Sequence, residues 1–311
     1  MEETNRPSGF VKFAWFTLAY NVLVIIWGVF LRASKSGDGC GQHWLTCHGE
    51  VIPSAPELKT IIEFSHRVTT GPAFLFVLIL VILAFRKFPK GHVVRKTAVI
   101  SLVFIVTEVL VGAGLVLTGN TAEAVTTARP FWAIGHLVNT FVLLAFLTLT
   151  AWFAGGPQRR KFDGGTKAIV LIVISIVGIL FVGSSGSVAA LSNMLFPSES
   201  ITEGITKDFS AASNILLRLR LSHPILSILT GVYIIFLAGW LKSQADDPNV
   251  TRWSNTLSVI VLVQLAFGAA TLFTLGPIIM QLGHLLLADL LWISFVLLVA
   301  NYFWREPAAT V

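Results

Sequence analysis

The sequence predicts an all-α integral membrane protein, with eight transmembrane helices arranged as two pseudo-symmetric four-helix bundles. Three observations predict it. The chain is 55% hydrophobic and only 12% charged over 311 residues, whereas soluble domains carry roughly a quarter charged residues. Its apolar residues fall in blocks of about twenty, the length at which a helix rising about 1.5 Å per residue crosses about 30 Å of hydrocarbon. The polar residues inside those blocks recur about half-way along the chain.

Breaks of charge, Gly and Pro mark the blocks in order. The first, 12–33, follows the acidic N-terminus MEETNRPSGF and precedes no small-residue cleavage site, so it reads as an uncleaved span. The second, 61–86, opens on Glu63, His66 and Arg67; the third, 97–118, holds Glu108; the fourth, 130–154, holds His136. The fifth, 167–190, begins at Lys167 and carries none of the histidines. The sixth, 212–240, carries His223, the seventh, 254–275, carries Gln264, and the eighth, 279–303, carries His284 and Asp289.

An even number of spans puts both termini on one side, and Lys and Arg choose the cytoplasmic one. Arg6, Lys12, Arg86, Lys87, Lys90, Arg95, Lys96, Arg159, Arg160, Lys161, Lys167, Lys242, Arg252 and Arg305 share the side of the termini. The expected location is therefore a cell membrane, surrounded by lipid, with both termini cytoplasmic. The net charge of +6 is spread between apolar blocks and forms no stripe or tail, so nucleic acid is not an expected partner. The opposite side holds Arg32, Lys35, Lys59, Arg67, Arg129, Lys207, Arg218 and Arg220. Its arginines read either as snorkelling side chains or as contacts to an acidic ligand group such as a haem propionate.

At an offset of about 156 residues, Glu108-Val-Leu-Val-Gly112-Ala113 aligns with Gln264-Leu-Ala-Phe-Gly268-Ala269. Ser65-His66 answers Ser222-His223, and Gly135-His136-Leu137 answers Gly283-His284-Leu285 across a shorter connection. The predicted division is 1–160 and 161–311, each a four-helix unit, related by an axis along the membrane normal. A Gly beside a helical His lets a flat ring, or a neighbouring helix, come close.

His66, His136, His223 and His284 all lie in the outer part of an even-numbered span, about 8–17 Å below the outer boundary. Hydrogen bonding within a packed bundle and proton relay are alternatives for such residues. Four at similar depth, two per unit, favour metal ligation, and an apolar slot between two opposed imidazoles suits haem. Glu63 shares a helix face with His66, three residues away, while Arg220 stands at that place in the second unit. Glu63 thus marks the first unit as the reacting one, against the alternative of a solvated carboxylate at a helix N-terminus. Glu108 reads as a helix-packing hydrogen bonder, and Asp289 has no assigned role. Cys40 and Cys47, in SKSGDGCGQHWLTCHGE on the outer side, favour a short-loop disulfide, with a metal site shared with His43 and His48 and free thiols as alternatives.

The outer-loop GDGCGQHWLTCHG, the IIEFSHR run at Ile61–Arg67 and the later GHLVN, LSH and QLGHLLLAD segments together resemble the haem A synthase family over nearly the whole chain. The resemblance implies oxidation of the haem O methyl group to the formyl group of haem A by successive hydroxylations, for cytochrome oxidase assembly. It implies that His66 and His136 hold the substrate haem, that Glu63 acts at the methyl, and that His223 and His284 clamp a resident haem b. A haem O synthase and cytochrome oxidase assembly factors are the implied partners. The absence of cysteines from the second outer loop departs from the first. The rival reading is a membrane cytochrome b that only passes electrons, and a transporter with polar helix sites is a second rival.

Overall fold

The computed structural model describes residues 8–156, 165–210 and 214–304. Arg6, Arg159, Arg160, Lys161 and Arg305 from the charge count, the predicted division at 160, and the predicted start of the sixth span at 212 lie outside the described residues. Among those described, ten helices form and no strand: α1 Ser8–Ala33, α2 Leu58–Lys87, α3 Val93–Leu117, α4 Arg129–Gly155, α5 Thr166–Leu195, α6 Ile201–Phe209, α7 Ile215–Arg220, α8 Ser222–Ser243, α9 Pro248–Phe273 and α10 Ile278–Phe303. Eight stretches are long and apolar enough to cross a membrane, with α7 and α8 counted as one, Ile215–Ser243. The protein is an all-α, multi-pass membrane protein.

The sixth span is broken where the others are continuous, and Pro224 supplies the reason. A proline ring lacks the N–H for the helix ladder and crowds the carbonyl four residues before it, here that of Arg220. α7 ends at Arg220, and α8 restarts at Ser222. His223 therefore sits in the first turn of a helix, whereas His66 sits in the third turn of α2, which runs unbroken through Pro72. Helix α6 was not expected. Its signal is Ser-Ile-Thr-Glu at 200–203: the Ser200 hydroxyl accepts from the Glu203 N–H at 3.1 Å, while the Glu203 carboxylate accepts from the Glu199 N–H at 2.7 Å. Lys207 pairs with Glu203 and holds its carboxyl below the usual range.

Helix starts at the other end are capped as their sequences dictate. Asp247 accepts from the N–H groups of Asn249 and Val250, ahead of Pro248 in the first turn of α9. His92 caps α3 by accepting from the Val94 N–H at 3.2 Å. Burial and then Arg95 hold this imidazole below its ordinary pKa, which keeps the accepting lone pair free.

In the first four helices α1 packs on α2 and α4, and α3 on α2 and α4, closing a ring. In the rest, α8 packs on α5 and α9, and α9 on α10. The joint runs through α4, which touches α5 and α10, and through α1, which touches α10. There the Trp292 indole N–H donates to the Phe141 carbonyl at 2.6 Å, and the two rings stack at 5.5 Å. Large apolar side chains such as Leu23, Val232 and Phe236 point outward, where lipid rather than water receives them. Hydroxyls within the spans, such as those of Thr17, Ser101 and Thr148, bond the carbonyl one turn back.

Candidate functional site

The outer loop after α1 is drawn together by a disulfide between Cys40 and Cys47, both fully buried. This consumes both thiols, so the metal-site and free-thiol alternatives do not describe this loop. The loop is seated on the start of α2 through Thr60, Glu63 and Arg67. The Thr60 hydroxyl donates to the Gly39 carbonyl at 2.6 Å, and the Cys40 N–H donates to Glu63 Oε2 at 2.8 Å. Arg67 donates to the carbonyls of His43 and Thr46 at 2.7 and 2.8 Å and forms an ion pair with Glu63 Oε1. Gly39 is required because a β-carbon there would collide with the backbone of Lys59 and Thr60.

Glu63 is 2% exposed. It is no solvated helix-end carboxylate. Both its oxygens are held, one by Arg67 and one by the loop backbone, so its charge is fixed in place one turn from His66. Arg220, at the matching position of the second unit, is held by Asp208 at 2.6 Å and by Asn193 at 2.8 Å.

The four histidines come together as two pairs. His66 and His136 lie within electrostatic reach of each other. The rings of His223 and His284 stand 6.3 Å apart, centre to centre, at 82° to one another. A metal–imidazole bond of about 2 Å, plus roughly 1.2 Å from ring nitrogen to ring centre, puts two axial imidazoles on one iron roughly 6.4 Å apart. The second pair thus has the spacing that a single metal between them requires.

Glycines hold three of these rings close to a facing helix. A methyl group at Gly28 would stand 3.1 Å from His66 Cε1, and methyl groups at Gly186 and Gly268 would stand 2.9 Å from Cε1 of His223 and His284. These are not the glycines adjacent to histidine in sequence: Gly135 faces nothing within 4 Å, and Gly283 faces Phe267. Gly112, the repeat counterpart of Gly268, also faces nothing within 4 Å.

What surrounds the outer ring nitrogens separates the pairs further. Glu108 Oε1 lies 3.0 Å from His136 Nδ1, off the best hydrogen-bond line, while the same carboxylate accepts from Thr140 and, at 2.5 Å, from Asn139. Glu108 therefore packs α3 on α4 and also stands behind an imidazole, a carboxylate–histidine pairing of the kind that orients metal ligands. Its counterpart Gln264 instead donates to the His284 carbonyl at 3.1 Å. His223 Nδ1 lies 3.2 Å from the Ser185 hydroxyl, while Nδ1 of His66 and of His284 is buried with no hydrogen-bond partner among the described residues.

Comparison with known proteins gives the family. A family model described as cytochrome oxidase assembly protein (COX15-CtaA) matches residues 11–296. A protohaem IX farnesyltransferase of Thermus thermophilus is 44% identical over 96% of this chain, and the chain spans 49% of that protein's length. A haem A synthase of Alkalihalophilus pseudofirmus is 26% identical over 87% of this chain and 90% of its own length. One of Geobacillus thermodenitrificans is 28% identical over 95% and 93%. The chain belongs to the cytochrome oxidase assembly protein family that includes the haem A synthases.

Proposed function

We propose that this protein is a haem A synthase, an oxidoreductase that converts the methyl group of haem O to the formyl group of haem A by successive hydroxylations. The observation that carries the haem reading is the His223–His284 pair, with rings 6.3 Å apart and each ring backed by a glycine. The residues fit a bis-histidine haem: the spacing suits one iron, the His284 Nδ1 is buried without a partner among the described residues, and Gly186 and Gly268 leave the room that the two imidazoles occupy. His223 and His284 would hold a haem b, which when bound supplies one-electron exchange.

His66 and His136 would hold the substrate porphyrin in the first unit, residues 1–160, leaving the second unit, 161–311, to the cofactor. Glu108 would keep His136 in the orientation and basicity of a ligand. Glu63 would stabilise positive charge developing at the substrate methyl. A carboxylate already fixed by Arg67 and the Cys40 N–H costs no reorganisation when that charge appears. The disulfide loop would close the outer side of this site. Both termini would be cytoplasmic, with the haem sites toward the extracytoplasmic side. The naming of the Thermus relative for protohaem farnesylation supports a haem O synthase as a partner, with cytochrome oxidase assembly as the destination.

The deciding experiment is haem extraction from the purified protein, followed by chromatography for haems B, O and A. Haem B together with O, A or hydroxylated intermediates is expected. Haem B alone, with no haem A formed in cells supplied with haem O, would leave a membrane cytochrome b; a colourless preparation that cannot be loaded would sink both readings.

A further inference from the structure

Two arginines, Arg32 near the C-terminus of α1 and Arg129 at the N-terminus of α4, stand at the same end of the bundle as the His66–His136 pair. Arg32 follows Gly28 by four residues and so lies on the helix face that meets His66, about 6 Å further along. Arg129 precedes His136 by seven residues, two turns away on the same face, about 10 Å off. The loops beyond them join at this end through the Lys35–Glu123 ion pair, 2.6 Å. Arg32 and Arg129 lie within electrostatic reach of one another.

Like charges near one another favour an anion between them, and three acidic groups at this end are already paired. Glu63 is paired with Arg67, Asp38 with Lys59 at 3.6 Å, and Glu123 with Lys35. Arg129, 5% exposed, donates to the Ala122 carbonyl and, at 2.5 Å, to the Ala124 carbonyl, which uses only part of its five N–H groups. Arg32 is half-buried and has no hydrogen-bond or ion-pair partner among the described residues. Arg32 alone is explained by the negative end of the α1 dipole, where cations are favoured. Arg129 is not. It is the first residue of α4, at the positive end of that helix dipole, so it adds to a field that already attracts anions.

We propose that Arg32 and Arg129 receive the propionate carboxylates of the porphyrin held by His66 and His136, and so set which edge of the substrate faces outward. The proposal rests on the haem reading of that pair. A guanidinium takes a carboxylate through two parallel N–H bonds, and two at one end of a slot match the two acidic arms at one edge of a porphyrin. The methyl to be oxidised would then be presented the same way in every binding event.

The test titrates ferric protohaem and its dimethyl ester into purified protein by the Soret difference spectrum, with Arg32→Gln, Arg32→Lys and His66→Ala alongside wild type. Arg32 breaks no described contact when replaced, unlike Arg129, and the second-unit haem band reports folding. Expected are a loss of protohaem affinity of about tenfold or more in Arg32→Gln, a smaller loss in Arg32→Lys, and a weak ester that Arg32→Gln barely changes. Equal affinity of wild type for acid and ester, or an unchanged Arg32→Gln, overturns the proposal while leaving the haem reading intact. If wild type takes up no added haem, or His66→Ala takes it up equally, the haem reading fails and the proposal with it. A headgroup phosphate is the rival anion. Nanodiscs with and without phosphatidylglycerol separate the two, because Arg32→Gln would then shed bound anionic lipid with no change in haem affinity, which also overturns the proposal.

Discussion

Replacing Gly268 with alanine puts a methyl group 2.9 Å from His284 Cε1. Ordinary contact between carbon atoms begins at about 3.5 Å, so the ring or the helix must give by roughly half an ångström or more. A metal–imidazole bond is held within about 0.2 Å of its preferred length, so that displacement is several times what ligation tolerates unless α10 moves as a body. We expect Gly268→Ala to lose most of its second-unit haem, or to keep it with a changed low-spin EPR signal, while the apoprotein stays folded. The repeat supplies the control. Gly112 occupies the equivalent place on α3 but faces nothing within 4 Å. Gly112→Ala should leave both spectra unchanged and raise helix stability by up to about 1 kcal/mol through propensity alone. Pyridine haemochrome quantification and EPR on the two variants decide the matter. A Gly268→Ala protein with wild-type haem content and signal would refute the claim that this glycine sets the ligand position.

Other expectations follow from the first unit. Glu63→Gln should abolish haem A formation in complemented cells while the second-unit haem spectrum survives; normal haem A content would remove Glu63 from the chemistry. Glu108→Gln should weaken haem uptake at the His66–His136 pair by about 10–100-fold, the usual cost of losing a ligand-orienting partner, and an unchanged titration would reduce Glu108 to helix packing. Replacing both Cys40 and Cys47 by serine should cost about 2–3 kcal/mol, the value for closing a short loop, measured by thermal inactivation in detergent with and without reductant. Gly39→Ala should loosen the same loop from α2 with the disulfide intact, read as faster proteolysis of the 34–57 segment.

The spans and the four histidines were legible because lipid imposes a length and a cost on every residue: apolar blocks of the required size and the few polar groups inside them can be counted directly. The disulfide was legible from its outer location. The ring-backing glycines were not. Gly28 and Gly186 lie far in sequence from the histidines they meet, and only helix packing brings them together, although they occupy matching places one span before Ser65-His66 and Ser222-His223. The three-residue spacing puts Glu63 on the helix face of His66, but its engagement by the Cys40 N–H, and by an Arg67 that also binds the loop, depends on a loop whose path no periodicity describes. The Gln264 counterpart points to packing for Glu108, while the change from amide to acid is the trace of its place behind His136. The break before Pro224 and the Ser200–Glu203 cap are both written locally, in signals that the surrounding hydropathy outweighs.

The contact between Trp292 and Phe141 bears on how such a chain could have arisen. At the spacing that relates His136 to His284, Phe141 answers Asp289 and Trp292 answers Leu144. A pair of identical half-length chains joined about a two-fold axis would make every contact twice, each residue meeting its partner's twin. Here the mirror contact would set Asp289 against Leu144, which can neither stack nor supply an indole N–H, and Asp289 is fully buried with no hydrogen bond to either oxygen. The seam is therefore one-sided. Under the proposed division, two copies of the first half, or two of the second, could not rebuild it, and cutting the chain between α4 and α5 should yield fragments that assemble only as an unlike pair.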